Sequence, residues 1–429
     1  MTREKSSEAP SLFYRLGVGA DRIVLEQHPE AYSGLAINAQ VAIWGKNWIG
    51  TFLGTTKKPY FIDPLTYPLA MDPALLLREE NLRKSFEKLM PHYGSLALET
   101  GGKRRIRPRD LLEGGHLTAR AEELAERVIA FQKGVFQRED RMQQSLLRYM
   151  EILEEELPFG EPPEPLFLVP PYFHAENPDD DWYRISLSLA HFSSQVFADA
   201  TIRPTICVSE ACLDSPRAMR RILEDYADFA GVLVWVSPFD EKRESLERLR
   251  SLKLLLDGFF ESDIPWMALY GGYFALCVAT SQGSGVVSGI CYGESKDVQA
   301  KTTGGGFPLR YYVPAARTKA VLATTRTFLT DHTGFVCHCG VCSGILDRIG
   351  VEQLNPEAVD QYLSEFDFTL AKRHFLVNRA MESQRVHETS REEVAASLRR
   401  DYEKLRKSRS ELYGIANAHL GKWAKVISA

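Results

Sequence analysis

The chain has 429 residues, more than one simple core usually organises, so a large domain with appendages or two domains is expected. With 44% apolar and 25% charged residues, its composition is that of an ordinary globule and excludes a collagen, a long coiled coil or a disordered chain. The net charge of −5 leaves nucleic acid open as a partner, because local basic patches rather than overall charge decide that.

The first twenty residues lack the apolar core of a signal peptide, and no run approaches eighteen uncharged apolar residues. A cytoplasmic protein with no membrane partner is expected. Apolar bursts follow in chain order: PYFIDP at 59–64, EPLFLVPPYFH at 164–174, PTICVSE at 204–210, GVLVWVSPFDE at 231–241, IPWMALYGG at 264–272 and GVVSGICYGES at 285–295. Bursts without clean alternation suit strands covered on both faces, and 215–228 and 241–258 suit crossover helices between parallel strands. The count and spacing favour a TIM (β/α)8 barrel over an open doubly wound sheet.

Residues 75–155 read as a helical insertion. It holds the basic loop GGKRRIRPRD at 101–110, with Lys103, Arg104, Arg105, Arg107 and Arg109, which is either a phosphate-contacting surface or a solvated loop. TTGGG at 302–306 reads as a loop rather than a phosphate cradle, and neither a GxGxxG turn after a strand nor a GxxxxGK[ST] loop is present. The expected divisions are a barrel over 1–330, a zinc subdomain over 331–385 and a helical segment over 386–429.

FVCHCGVCSG at 335–344 places Cys337, Cys339 and Cys342 within six positions. In a reducing compartment such a cluster points to metal rather than disulfides. Zinc takes a tetrahedral set of thiolates and imidazoles, and His374 in LAKRHFLVNRAMESQ is the candidate fourth ligand. His338, between two ligands, has poor geometry for the same ion, and His332 is a weaker alternative. Four protein ligands make a closed, structural site.

CHCGVC followed by RHFLVNRAME resembles the zinc subdomain of the tRNA-guanine transglycosylase family. YFIDPLTYPLA resembles that family's strand end with an aspartate facing the base pocket, and MALYGGYFALCVATSQGSGVVSGICYGES resembles its last two barrel strands, so the resemblance covers roughly 25–385. It implies exchange of guanine in a nucleic acid for a 7-deazaguanine base: a carboxylate attacks the anomeric carbon, guanine leaves, and the incoming base displaces the carboxylate. The target nucleotide must first leave its stack.

By motif position Asp63 is the pocket aspartate that manages the purine proton, with a turn cap before Pro64 as its plain alternative. The family's nucleophilic aspartate is replaced by Ser288 or Gly289 in the last strand. Glu294, Asp240 or its neighbour Glu241, or Asp63 itself are the candidates for the attack. Glu210, Tyr270, Gly271, Gly272 and Phe173 are candidate substrate contacts, and Tyr172, Tyr273 and Phe274 are further rings able to sandwich a base.

The divergent strand, with VPPYFH and WVSPFDE in place of the usual pocket segments, resembles the family's DNA-modifying branch. That branch implies DNA as acceptor, 7-cyano-7-deazaguanine as the incoming base and a companion ATPase; a homodimer is a further expectation from the family. The alternatives are a tRNA-directed enzyme of the same chemistry and a catalytically silent nucleic-acid-binding subunit.

Overall fold

The computed structural model describes residues 12–17, 21–72, 77–78, 81–82, 84–100, 104–137, 161–280, 297–298, 308–351 and 354–429. Its strands are short and parallel: β1 (Phe13–Leu16), β2 (Gly34–Asn38) and β3 (Tyr60–Asp63) form one sheet, and β4 (Thr205–Val208), β5 (Val232–Val236) and β6 (Trp266–Ala268) a second. The burst at 164–174 is not a regular strand, yet it bridges the two sheets. Leu166 N donates to Tyr60 O at 2.7 Å, and Leu168 and Ala175 make parallel bridges to Ile202 and Val208.

Side chains alternate with period two between two separate cores. Phe13, Ala36, Phe61, Phe167, Val169, Cys207, Leu233, Trp235, Met267 and Leu269 form an inner cluster, while their neighbours Tyr14, Leu35, Ile62, Ile206, Val234 and Trp266 join the larger cluster beneath the helices. Both faces are therefore apolar, which explains the missing polar alternation. The sheet also curls. With the bridging segment counted, seven flat parallel segments would place β1 and β6 six spacings, about 29 Å, apart, but Arg15 on β1 reaches the carbonyl of Leu269, just after β6, at 3.4 Å.

Helices alternate with the strands and lie on the outer face. The expected crossovers are Pro216–Asp225 and Leu246–Glu261. In the latter the Ser245 hydroxyl accepts from Arg248 N, and Leu249, Leu252, Leu255, Leu256 and Phe259 form the buried stripe. In the insertion, Ala119–Gly134 packs on Asp181–Val196; the part of that insertion from 138 to 155 lies outside the described residues.

An antiparallel hairpin, β7 (Arg310–Val313) and β8 (Thr318–Val321), leads into the cysteine segment. The outer apolar cluster runs on through Tyr311, Phe328, Cys342, Phe375, Leu398 and Trp423, across both expected divisions at 330 and 385. The C-terminal helix Ala418–Ile427 is pinned to the loop after β5, with Trp423 Nε1 donating to Glu241 O at 2.9 Å. Among the described residues no helix is long and apolar enough to cross a membrane.

Candidate active site and metal centre

The C-terminal ends of the parallel strands bring polar side chains onto the inner face above the apolar layer. Asp63 closes β3 and is wholly buried. Its Oδ2 accepts from Arg15 Nη1 at 2.9 Å, and its Oδ1 accepts from the Tyr172 hydroxyl at 2.8 Å and from Leu65 N at 3.2 Å. Arg15 also donates to Asn38 Oδ1 at the end of β2, and its guanidinium lies 4.3 Å from the centre of the Tyr270 ring.

Rings surround this group. Tyr67 stacks near Tyr172 at 6.0 Å and meets Trp235 edge-on at 4.9 Å, and Trp235 meets Tyr270 at 4.7 Å. Burial, with Asp63 and other neighbours adding, pushes the Tyr172 hydroxyl well above the usual tyrosine range, so it remains a donor. The arrangement offers one carboxylate balanced by one guanidinium among flat apolar faces, at the end of a parallel sheet where α/β folds place their chemistry.

Sequence reading missed Arg15 and Asn38. The only signal for Arg15 was a cation inside the apolar stretch LFYRL. Asp297 is a further residue that reading did not single out. Its neighbour Val298 is buried in the inner cluster, and Val298 N donates to the Ser237 hydroxyl, just beyond β5, at 2.9 Å. Glu294 and Lys103, like Ser288, Gly289 and the burst at 285–295, lie outside the described residues.

The remaining candidates separate. Tyr270 joins the Arg15 group, but Phe173 faces the other way: it packs on Trp182 at 4.8 Å within the outer core. Successive residues of an extended segment point to opposite sides, so Tyr172 takes the inner position expected of Phe173. Glu210 pairs with Arg248 at 2.8 Å on the outer side, where Arg248 also holds Asp214.

Asp240 accepts from Lys242 N within its own turn and lies 3.5 Å from Arg243 Nε. Glu241 accepts from the backbone N–H groups of Gly272 (2.7 Å), Phe274 (3.0 Å) and Ala275 (3.2 Å), capping the helix Tyr273–Thr280. The glycines have packing reasons. A Cβ on Gly272 would stand 2.7 Å from Glu241 Oε2, and one on Gly271 2.7 Å from Ala268 Cβ.

In the basic loop Arg104, Arg105 and Arg107 are all exposed, and Arg104 pairs with Glu99 (3.3 Å) and Asp110 (3.2 Å). Ile106 between them is buried, its N–H donating to Leu69 O at 2.8 Å.

Cys337, Cys339, Cys342 and His374 converge, all buried, with their ligand atoms within 4.8 Å of one another. Cys339 is the N-cap of the helix Gly340–Arg348, and Cys342 follows three residues later on the same face. His374 comes from the Phe368–Glu388 helix, whose start Asp367 caps. Its Nδ1 lies 3.1 Å from Cys342 Sγ and 3.5 Å from Cys339 Sγ, and those two sulfurs are 3.5 Å apart.

The donors fit a tetrahedral ion. Sulfurs about 2.3 Å from zinc stand about 3.8 Å from one another. His374 Nε2 donates to Tyr312 O at 2.7 Å, which leaves Nδ1 as the lone-pair nitrogen facing the thiols. Asn378, one helical turn on, reaches His374 Nδ1 at 3.0 Å and Cys337 Sγ at 3.4 Å, and the Tyr362 hydroxyl donates to Cys342 Sγ at 3.0 Å. The other two histidines do not compete: His338 is exposed, and His332 packs on Phe328 and Tyr413.

Hydrogen bonds from Cys337 and Cys342 hold the Cys339 thiol far below its usual range. At His374 burial disfavours the cation, but hydrogen bonds to Cys337 and Cys339 outweigh it and raise the imidazole to about 9. Hydrogen bonds to Cys337 and Cys339 push the Cys342 thiol the other way from Cys339, far above its usual range, so thiolate character is concentrated on Cys339. The cluster can hold a metal ion and is compatible with zinc, which would tie the cysteine segment to the Phe368–Glu388 helix without an open coordination position. No family model matches the chain, and no curated protein does.

Proposed function

We propose that the chain is a transglycosylase that exchanges guanine in DNA for a 7-deazaguanine base, 7-cyano-7-deazaguanine, on a (β/α)8 barrel braced by a structural zinc. The observation that carries this reading is Asp63, buried between Arg15 and the Tyr172 hydroxyl among Tyr67, Trp235 and Tyr270 at the ends of the parallel strands. Curvature that brings β1 within reach of β6 supports closure of the sheet, and the Cys3His cluster supports the zinc segment. DNA as acceptor is supported by the divergent strand segments of the sequence.

In this reading the rings hold the purine, and Asp63, with three donors on its carboxylate, orients it and handles the proton at its ring nitrogen. A second carboxylate attacks the anomeric carbon as the bond to guanine breaks. The incoming base then attacks the same carbon and releases the carboxylate. Asp240 is engaged in its own turn and Glu241 in a helix cap, and Asp240 and Glu294 are the acids that the sequence offers for the attack.

The test is nucleoside mass spectrometry of plasmid DNA and tRNA from cells expressing the chain with its genomic neighbours, including a companion ATPase, together with a denaturing trap for a protein–DNA adduct. A deazaguanosine in DNA, lost in the Asp63→Asn variant, is the expected result. Modification confined to tRNA would move the acceptor to RNA. The full engagement of Asp63, Asp240 and Glu241 also favours a second reading, a non-catalytic nucleic-acid-binding subunit, which absence of exchange and adduct in both pools would establish over the first.

A further inference from the structure

The arginine loop has an internal division of labour. Arg104 is tied to Glu99 and Asp110, and Asp110 also accepts from Arg107 N at 2.9 Å, so these groups brace the loop. Arg105, Arg107 and Arg109 are exposed and make no ion pair among the described residues. Together with Ala70 and Trp182 they line a cleft of about 480 Å³, in the size range of small-molecule sites.

The one carboxylate lining it, Asp181, is paired with Arg184. Trp182 is half-buried, with Phe173 packed against it. The cleft is also tethered to the strand ends. Ile106 N is bonded to Leu69 O, and Leu69 and Ala70 follow Asp63 on one continuous segment, so seven residues place Ala70 no more than about 25 Å from Asp63.

We infer that this cleft takes the strand flanking the target nucleotide, with backbone phosphates on Arg105, Arg107 and Arg109 and a base against Trp182. Exposed guanidiniums with no ion pair among the described residues are suited to phosphate, and a tryptophan at the cleft offers a stacking surface that accepts any base. The inference rests on the nucleic-acid acceptor proposed above and not on the base-exchange chemistry.

The experiment is fluorescence anisotropy of a labelled single-stranded DNA oligonucleotide, titrated with the full chain over a series of salt concentrations. Replacing Arg105, Arg107 and Arg109 together by Gln should reduce the slope of log affinity against log salt by about 2–3, since each lost phosphate contact removes about 0.7–0.9. Arg107→Gln alone should remove about 0.7–0.9, and Arg104→Gln should leave the slope unchanged.

Trp182→Leu should weaken binding about tenfold at an unaltered slope, with Trp182→Phe retaining most of the affinity. An undiminished slope in the triple variant, or no DNA binding by the parent chain, overturns the inference. Base exchange that persists in the triple variant with parental DNA affinity would reject the cleft alone. A cleft-dependent salt slope in a chain that performs no exchange would keep the cleft and reject the reaction.

Discussion

Removing Arg15 tests whether the strand-end cluster is assembled as described. The Arg15 and Asp63 side chains are 7% and 1% exposed and 2.9 Å apart, so water screens the pair little. At an effective dielectric of about 20 their attraction is about 6 kcal/mol, and the desolvation of both charges offsets much of it. Arg15→Met keeps an unbranched side chain against Tyr270 but leaves the Asp63 carboxylate buried with only the Tyr172 hydroxyl and Leu65 N as donors.

Stranding a buried charge in this way costs about 3–5 kcal/mol. Adding Asp63→Asn removes that charge, so the double variant should be more stable than Arg15→Met alone, with a coupling of about 2 kcal/mol or more. Urea denaturation followed by tryptophan fluorescence reads both quantities, because Trp235 stands among the rings of the cluster. A cost for Arg15→Met below about 1 kcal/mol, the level of an exposed pair, or simple additivity in the double variant would refute the buried pairing.

Other outcomes follow from the same structure. The purified chain should carry one zinc, and Cys339→Ser should lower both metal content, read by atomic absorption, and thermal stability; because protons compete for the thiolates, metal should be lost on acidification. Glu241→Gln leaves the N–H groups of Gly272, Phe274 and Ala275 with weaker acceptors and should cost about 1–3 kcal/mol in chemical denaturation, with DNA affinity unchanged. His419, buried and bonded through Nε2 to Ala316 O, has its imidazole pushed down to about 4 by burial. The unfolded chain then binds the extra proton between about pH 6.5 and 4, so stability should fall with pH across that window by on the order of 3 kcal/mol. In His419→Gln that part of the pH dependence, measured by denaturation at successive pH values, should disappear.

Local chemistry was legible without coordinates. Cys337, Cys339 and Cys342 lie in one short turn, so their spacing alone brings three thiols together, and His374 is set by its place near the start of a capped helix. Asp63 at the end of an apolar burst was equally readable, because a strand's end follows from its own sequence. So were the crossover helices, whose apolar stripes repeat with the helical period.

What faces what was decided only by tertiary structure. Arg15, 48 positions before Asp63, is its partner because β2 lies between β1 and β3 in parallel register and the sheet curls until β1 reaches the end of β6. Tyr172 rather than Phe173 turns inward because a segment bound by isolated bridges carries little sequence record of its register. Along the chain Asp240 and Glu241 read as alternative candidates for the attack and Glu210 as a substrate contact. An arginine on the Leu246–Glu261 helix, a turn and a helix terminus engage them separately, since charges pair with whatever the packed backbone sets within reach. A sequence records its own periodicity, and partners across a curled sheet exist only once the strands have packed side by side.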